Sequence, residues 1–311
     1  MAIERLGVHD SVSTVFPPEV LADALADVDP DVTVVGDDPD TLGSCDALVT
    51  LAYSDAFLDA DLAWIHSIQA GVDRFPFDAL AEAGVVLTNS SGIHGESVGE
   101  TAVGYLLVLA RRLHRYVRNQ QEHVWAHPAW DEPFTVAGTS LCVVGLGTLG
   151  RGIATRAAAL GMDVTGVKRT VEPVEDVSVV YPPEELHEAI SDVAFVALAC
   201  PLTEETRHLV GPAEFETMRD DAYLLNVARG AVVDEEAFVA AVAEGTIAGG
   251  ALDVFETEPL PETSPLWDLD EVIVTPHRAG ADRAYYEGVE RLVRENLRRL
   301  AAGDEYTNRV V

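Results

Sequence analysis

The chain has 311 residues, with 53 acidic side chains against 20 basic ones and a formal net charge of −33. A surface of that sign is a poor partner for nucleic acid or an anionic membrane, which repel it. Acidity with only 7% aromatic residues can mark disorder, but 48% hydrophobic content and a regular strand–helix alternation predict packed cores, and the length suggests about two domains.

Lys168 is the only lysine. Acidic excess spread along a chain that uses arginine in place of lysine resembles proteins of a salt-rich cytoplasm, where the Debye length falls to about 3 Å near 1 M salt. Cys45, Cys142 and Cys200 are isolated, with no C-x-x-C, as for reduced structural thiols. No apolar stretch approaches the ~20 residues of a membrane span, and the start Met1-Ala2-Ile3-Glu4-Arg5 has no signal-peptide core. A cytoplasmic protein is expected.

In chain order, apolar runs predict strands at Val32–Val35, Ala47–Thr50, Trp64–Ile68 and Val85–Thr88, with helices at Pro18–Asp27 and Phe77–Ala83 between them. This alternation predicts parallel βαβ units. Ser97-Val98-Gly99-Glu100 matches a capping box and predicts a long apolar helix through Ala110, closing on Arg111, Arg112, Arg115 and Arg118. His123 and His127, at i and i+4, could share a helix face. No acidic ligand accompanies them, so no metal site is expected.

Leu141 to Val144 then reads as a buried strand entering Gly145-Leu146-Gly147-Thr148-Leu149-Gly150, with a helical stretch, Arg151 to Leu160, behind it. In a G-x-G-x-x-G so framed, the first glycine makes the turn. The second admits a pyrophosphate, and the third lets helix pack on strand. The helix N-terminus supplies N–H groups and positive dipole. About 140 residues precede this motif, so a dinucleotide domain here follows or is inserted into another.

The next strand, Val164–Val167, ends at Lys168-Arg169-Thr170, where an acidic residue would hold the ribose 2′-OH of NAD. Asp163 lies at the wrong end of that strand. A Lys-Arg-Thr cluster suits a 2′-phosphate, so NADP(H) is the favoured cofactor and NAD(H) stays open; a solvated basic turn is the plain alternative. Further strands are predicted at Val193–Leu198, Ala222–Asn226, Ile247–Leu252 and Val272–Val274, and a final helix from Ala284 to Leu300.

Three of these strand ends carry Asn226-Val227-Ala228-Arg229-Gly230, then Asp253-Val254-Phe255-Glu256-Thr257-Glu258-Pro259, then Thr275-Pro276-His277-Arg278-Ala279-Gly280. Reducing a 2-oxoacid needs a cation on the carboxylate and ketone, an acid for the developing alkoxide, and a positioned hydride. Arg229 suits the first role through its planar fork, and His277 the second. Glu258 would fix and tune the imidazole. Taken singly, each has a plain reading: a strand-end salt bridge, a satisfied histidine, a solvated carboxylate. It is their order behind a dinucleotide turn that carries the functional one.

Together with the Cys200-Pro201-Leu202-Thr203 corner, Gln69-Ala70-Gly71-Val72-Asp73 and Thr88-Asn89-Ser90-Ser91-Gly92, these motifs closely resemble the D-isomer-specific 2-hydroxyacid dehydrogenase family over most of the chain. The resemblance implies an α/β chain of two Rossmann/flavodoxin-like parallel-sheet domains, 1–96 plus 284–311 for substrate and 97–283 for the dinucleotide, with a cleft that closes on binding. It assigns catalysis to Arg229, Glu258 and His277. It places the dinucleotide against Gly145, Gly147, Thr148, Leu149, Gly150, Lys168, Arg169 and Thr170, then Cys200, Pro201, Thr206, Val227, Ala228, Asp253, His277 and Gly280. Asp253 would support the nicotinamide carboxamide or nearby backbone rather than transfer protons. Ala70, Gly71 and Val72 would offer backbone N–H groups to the substrate carboxylate. Ser90, Ser91, His94 and Glu96 would lie near the hinge with no catalytic role.

The resemblance also implies a homodimer through the cofactor domain. Lys168 and Arg278 depart from the usual family pattern, and Glu258 disfavours the formate dehydrogenase branch, which has glutamine there. Glyoxylate, hydroxypyruvate, pyruvate and longer oxoacids all fit the same clamp. A dinucleotide-sensing interaction protein on this scaffold, or a nucleotide-binding transferase or hydrolase, are the competing classes.

The charge predicts salt-dependent stability. The thermal midpoint is expected to rise by ten degrees or more (order of magnitude) between low salt and roughly 3 M KCl, as screening removes self-repulsion; a midpoint that does not move with salt would refute this.

Overall fold

The computed structural model of the protein describes residues 3–72, 74–127 and 129–311, so Asp73 of the Gln69–Asp73 motif and the Met1-Ala2 start lie outside the described residues. The chain forms two compact units, Met1–Ile93 with Ala281–Val311, and His94–Gly280. These joins fall three residues before each of the expected ones.

The first unit is a five-stranded sheet of β1 (Arg5–His9), β2 (Asp31–Val35), β3 (Ala47–Thr50), β4 (Trp64–Ser67) and β5 (Val86–Asn89), in the order β2-β1-β3-β4-β5. Every pairing is parallel. Alternation along each strand sorts its side chains between two cores. Ala47, Val49 and Trp64 pack on one face with Leu6 and Val8, and Leu48 and Ile65 pack on the other with Phe57 and Leu80. The helix Tyr285–Ala302 buries Val289 and Val293 in the first of these cores, which ties the end of the chain to its beginning.

The second unit is a seven-stranded sheet, again all parallel: β6 (Ser140–Val144), β7 (Asp163–Val167), β8 (Val179–Tyr181), β9 (Phe195–Leu198), β10 (Tyr223–Asn226), β11 (Gly249–Leu252) and β12 (Val272–Val274), in the order β12-β11-β10-β9-β6-β7-β8. Strand order reverses at β6 and β9. In a doubly wound sheet, ligands bind beyond the carboxyl ends of strands at such a reversal, which is where the glycine motif leaves β6.

Two expectations need correcting. The helix expected to open on a Ser97–Glu100 capping box runs from Gly95 to Ala110 with His94 as its N-cap, so Ser97 sits inside the first turn and its hydroxyl donates to His94 O at 3.4 Å. The helix ends at Ala110 as expected, and Arg112 turns left-handed at φ 55° before a separate helix, Leu113–Gln121. His123 lies beyond that second helix, itself at φ 57°, so it and His127 share no helix face.

Helices Gly95–Ala110 and Thr148–Ala159 touch backbone to backbone: a Cβ added to Gly152 would lie 1.8 Å from Gly95 O. Gly152→Ala is therefore expected to lower stability by about 3 kcal/mol. Gly104→Ala, facing open space on the first of these helices, should be neutral or raise it by up to about 1 kcal/mol. Urea midpoints of the two variants check this.

Candidate active site

The glycine motif folds as a close-approach turn. Gly145 has φ 97°, and a Cβ there would sit 2.6 Å from Cys200 N. A Cβ on Gly150 would fall 1.8 Å from Gly145 O. Gly147 is the N-cap of helix Thr148–Ala159 and offers no side-chain acceptor, so the N–H groups of Thr148, Leu149 and Gly150 meet no side-chain cap. A cradle that any Cβ would fill, beside an uncapped helix N-terminus, fits the pyrophosphate of a dinucleotide.

Facing this turn, Cys200 opens a corner in which Thr206 Oγ1 donates to Pro201 O at 2.7 Å and accepts from Thr203 N at 2.7 Å. Burial pushes the Cys200 thiol up to about 11, leaving it an inert packing group. Past β7, Lys168 N donates to Tyr181 O at 3.0 Å, while its ammonium engages Glu172, four residues on. That ammonium holds the Glu172 carboxyl below its ordinary range. Arg169 and Thr170 are exposed beside it, and Asp163 lies at the opposite end of the strand.

At the end of β10, Asn226 is 1% exposed and grips the next turn from both sides. Its Oδ1 accepts from Ala228 N at 3.0 Å, and its Nδ2 donates to Arg229 O at 3.0 Å. Thus Val227, Ala228 and Arg229 are fixed by one amide. Arg229 Nη1 donates to Ala228 O at 2.7 Å, and none of the ion pairs among the described residues engages its guanidinium.

Just past β11, Asp253 is equally buried. Its Oδ1 accepts from Thr275 Oγ1 at 2.7 Å and Arg278 N at 2.9 Å, and its Oδ2 accepts from Ala279 N at 2.7 Å. Its carbonyl accepts His277 N at 2.7 Å, holding that residue at φ 53°. Of the two uses expected for Asp253, support of nearby backbone is thus in place.

Glu258 Oε1 accepts from Phe255 N at 3.1 Å, and its Oε2 meets His277 Nδ1 at 2.8 Å. A carboxylate can only accept, so Nδ1 carries its proton and Nε2 is the imidazole atom left for chemistry.

Three further side chains of this unit support the same loop. Tyr105 OH donates to Thr275 Oγ1 at 2.6 Å, and burial pushes its phenol up to about 12. Thr101 Oγ1 donates to Ala279 O at 2.9 Å. A Cβ on Gly280 would lie 3.3 Å from His94 Cδ2. Burial, with the nearby Arg229 cation, pushes His94 down to about 4 and keeps it neutral. None of the three was singled out from sequence as a site residue, although Thr101 and Tyr105, hydroxyls at i and i+4 on an apolar helix, were a usable signal. Nothing in the structure accounts for an arginine at 278.

In the first unit, Asn89 Nδ2 donates to Ala70 O at 2.7 Å, and no hydrogen bond among the described residues uses the N–H groups of Ala70, Gly71 or Val72. Tyr53 packs edge-on against Phe57 and Phe75. No group of three or more possible metal ligands occurs among the described residues, and none of their helices is long and apolar enough to cross a membrane.

Residues 103–279 match the model of the D-isomer specific 2-hydroxyacid dehydrogenase NAD-binding domain. The chain belongs to the D-isomer specific 2-hydroxyacid dehydrogenase family. It is 34% identical over 272 residues to a glyoxylate reductase of Korarchaeum cryptofilum, covering 84% of this chain and 81% of that protein. A glyoxylate/hydroxypyruvate reductase A of Arabidopsis thaliana is 36% identical over 73% of this chain and 72% of its own length. Among solved structures, a family member from Xanthobacter autotrophicus in complex with NADPH and MES superposes with a TM-score of 0.80 at 30% identity, covering 100% of this chain and 98% of that one. One from Aeromonas salmonicida reaches 0.84 at 29%, covering 99% of each chain. This dehydrogenase is thus an oxidoreductase acting between 2-hydroxyacids and 2-oxoacids.

Removing the Asp253 carboxylate orphans the buried Ala279 N–H, the Arg278 N–H and one hydroxyl. Asp253→Ala is expected to lower stability by about 3 kcal/mol or more, read from the urea midpoint; a loss under about 1 kcal/mol would show that loop 275–279 does not depend on it.

Proposed function

We propose that this dehydrogenase works as a reductase of small 2-oxoacids, glyoxylate and hydroxypyruvate foremost, favouring NADPH. The observation that carries the reading is the His277–Glu258 contact at 2.8 Å on a loop whose backbone is bound by Asp253, in the same unit as Arg229, which is in no ion pair among the described residues. The glyoxylate reductase relatives support the substrate class.

Arg229 would take the substrate carboxylate and ketone oxygen in its fork, polarising the carbonyl. As an imidazolium, His277 would donate its Nε2 proton to the developing alkoxide and become neutral, then take a proton back there in the oxidative direction, while Glu258 holds Nδ1–H and steadies the cationic form. The Ala70, Gly71 and Val72 N–H groups would receive the carboxylate as an anion nest. Gly145, Gly147, Thr148, Leu149 and Gly150 would hold the pyrophosphate, with Cys200, Pro201, Thr206, Val227, Ala228, Asp253 and Gly280 along the remaining length of the dinucleotide. When bound, the nicotinamide supplies the hydride.

Lys168, Arg169 and Thr170 would take a 2′-phosphate, with Glu172 giving up its contact to Lys168. The NADPH bound by the Xanthobacter relative supports that cofactor. A second copy of this chain is the partner we propose for the dinucleotide unit, whose Trp125 and Trp130 are 92% and 93% exposed. The acidic composition supports a salt-rich cytoplasm as the working environment.

The test follows nicotinamide absorbance with NADPH and with NADH against glyoxylate, hydroxypyruvate and pyruvate in concentrated KCl. Faster NADPH oxidation is expected, with the preference lost in Lys168→Asp. Arg229→Lys should cut kcat/KM by roughly 10²–10³, and His277→Gln should cut kcat by roughly 10²–10⁴. Turnover with NADH alone would sink the Lys168 argument. No turnover by a folded protein would favour the sensing reading instead.

A further inference from the structure

Strands β4 and β5 and the residue after β5 carry four side chains with polar atoms on one face of the sheet: Trp64 at the start of β4, His66 and Thr88 towards the carboxyl ends, and Ser90 just past β5, each 0% exposed. Register puts His66 opposite Thr88, and the two-residue period of a strand brings Trp64 and Ser90 to the same side. Trp64 Nε1 lies 2.8 Å from Thr88 Oγ1, His66 Nδ1 lies 2.8 Å from the same hydroxyl, His66 Nε2 lies 3.1 Å from Ser90 Oγ, and Ser90 Oγ lies 3.1 Å from Ser67 O.

Proton counting leaves one consistent order. Ser67 O can only accept, so the Ser90 hydroxyl proton points to it, and His66 Nε2 must be the donor to Ser90. Burial pushes His66 down to about 3, so the ring carries one proton, and Nδ1 is therefore an acceptor. Thr88 must then donate to Nδ1 while accepting from the indole N–H. The chain runs Trp64 Nε1–H to Thr88, Thr88 to His66, His66 Nε2–H to Ser90, and Ser90 to Ser67 O, with every hydroxyl proton used once.

Where this relay ends, the loop 67–72 begins. Gln69 N donates to Ser67 Oγ at 3.2 Å, and Ser90 N donates to Gln69 O at 3.0 Å. Tyr285 OH donates to Ile68 O, and Asn89 Nδ2 to Ala70 O. Asn308 Nδ2 in turn holds Asn89 O at 3.1 Å and Ser91 O at 2.7 Å. The carbonyls of residues 67 to 70 are thereby all bound, and the N–H groups of Ala70, Gly71 and Val72 are the donors turned to no partner among the described residues.

The geometry points to His66 as a positioning residue of this dehydrogenase: a neutral, single-tautomer imidazole that locks the ends of β4 and β5 together and so aims the Ala70–Val72 N–H groups at the substrate carboxylate. This rests on the proposed substrate role of that loop, and the experiment separates the two. Thr88→Val removes the hydroxyl at near-constant volume, and Thr88→Ser restores it; Gly71→Pro deletes one nest N–H outside the relay.

Thr88→Val is expected to raise the KM for glyoxylate about tenfold, by roughly the worth of one well-placed polar contact. The dissociation constant for the reduced nicotinamide cofactor, from its fluorescence, should stay put, and Thr88→Ser should return KM to near wild type. Gly71→Pro should raise KM as well. If Gly71→Pro raises KM and a folded Thr88→Val does not, the positioning role is overturned and the loop reading stands. If Gly71→Pro leaves KM unchanged, the loop reading falls and the positioning role with it.

A second measurement needs no variant. In ¹⁵N-histidine-labelled enzyme, one imidazole should remain an Nε2–H neutral tautomer, without titrating, from about pH 5 to 9. An Nδ1–H form at His66, or its protonation in that range, would break the proton order and end the proposal.

Discussion

A parallel sheet covered on both faces leaves its strands no place for polar side chains except at their ends, and any polar group left there under cover must be hydrogen-bonded. Both units of this chain obey that constraint. Asn226 and Asp253 close or follow β10 and β11 in the second unit at 1% exposure, and His66, Thr88 and Ser90 do the same around β4 and β5 in the first at 0%. Each is satisfied by the backbone of the loop it precedes or by a neighbouring strand end. Those same bonds make the loops rigid, so Arg229 and His277 ride on backbone whose position is set from inside the fold.

The two units solve the problem with different chemistry. Loop 275–279 presents backbone N–H groups and a hydroxyl, and a carboxylate with two acceptor oxygens answers several donors at once. The ends of β4 and β5 present hydroxyls, an indole and a carbonyl, each with one proton or none to give. There a neutral imidazole, donor at one nitrogen and acceptor at the other, is the side chain that completes the line. Charge in the first case and direction in the second do equivalent work.

The charge balance sharpens the meaning of Arg229. With 53 acidic side chains in the chain, seven arginines, Arg115, Arg118, Arg156, Arg219, Arg294, Arg298 and Arg299, pair with a carboxylate among the described residues. Arg229 instead bonds a carbonyl and stands close enough to His94 for its charge to help keep that ring neutral. A cation kept from carboxylates in so acidic a protein is available to an incoming one.

Apolar runs and turn residues made most strands legible, down to the exact span of Val272–Val274, and with them the two-unit parallel architecture. β1 and β8 escaped notice because Arg5-Leu6-Gly7-Val8-His9 interleaves polar and small residues, and Val179–Tyr181 is a three-residue edge. The Ser97 cap failed for a related reason: the S-x-x-E pattern is local, whereas the helix starts two residues before it, with His94 as its N-cap. The residue types for cofactor and substrate chemistry, and their order along the chain, were set by the sequence alone, since glycine spacing and side-chain chemistry are local properties. Which carboxylate ties down loop 275–279, which imidazole nitrogen faces Glu258, and that His94, Tyr105 and His66 join the supporting network were decided only in three dimensions. A hydrogen bond depends on distances between groups tens of residues apart or more, and no local pattern records them.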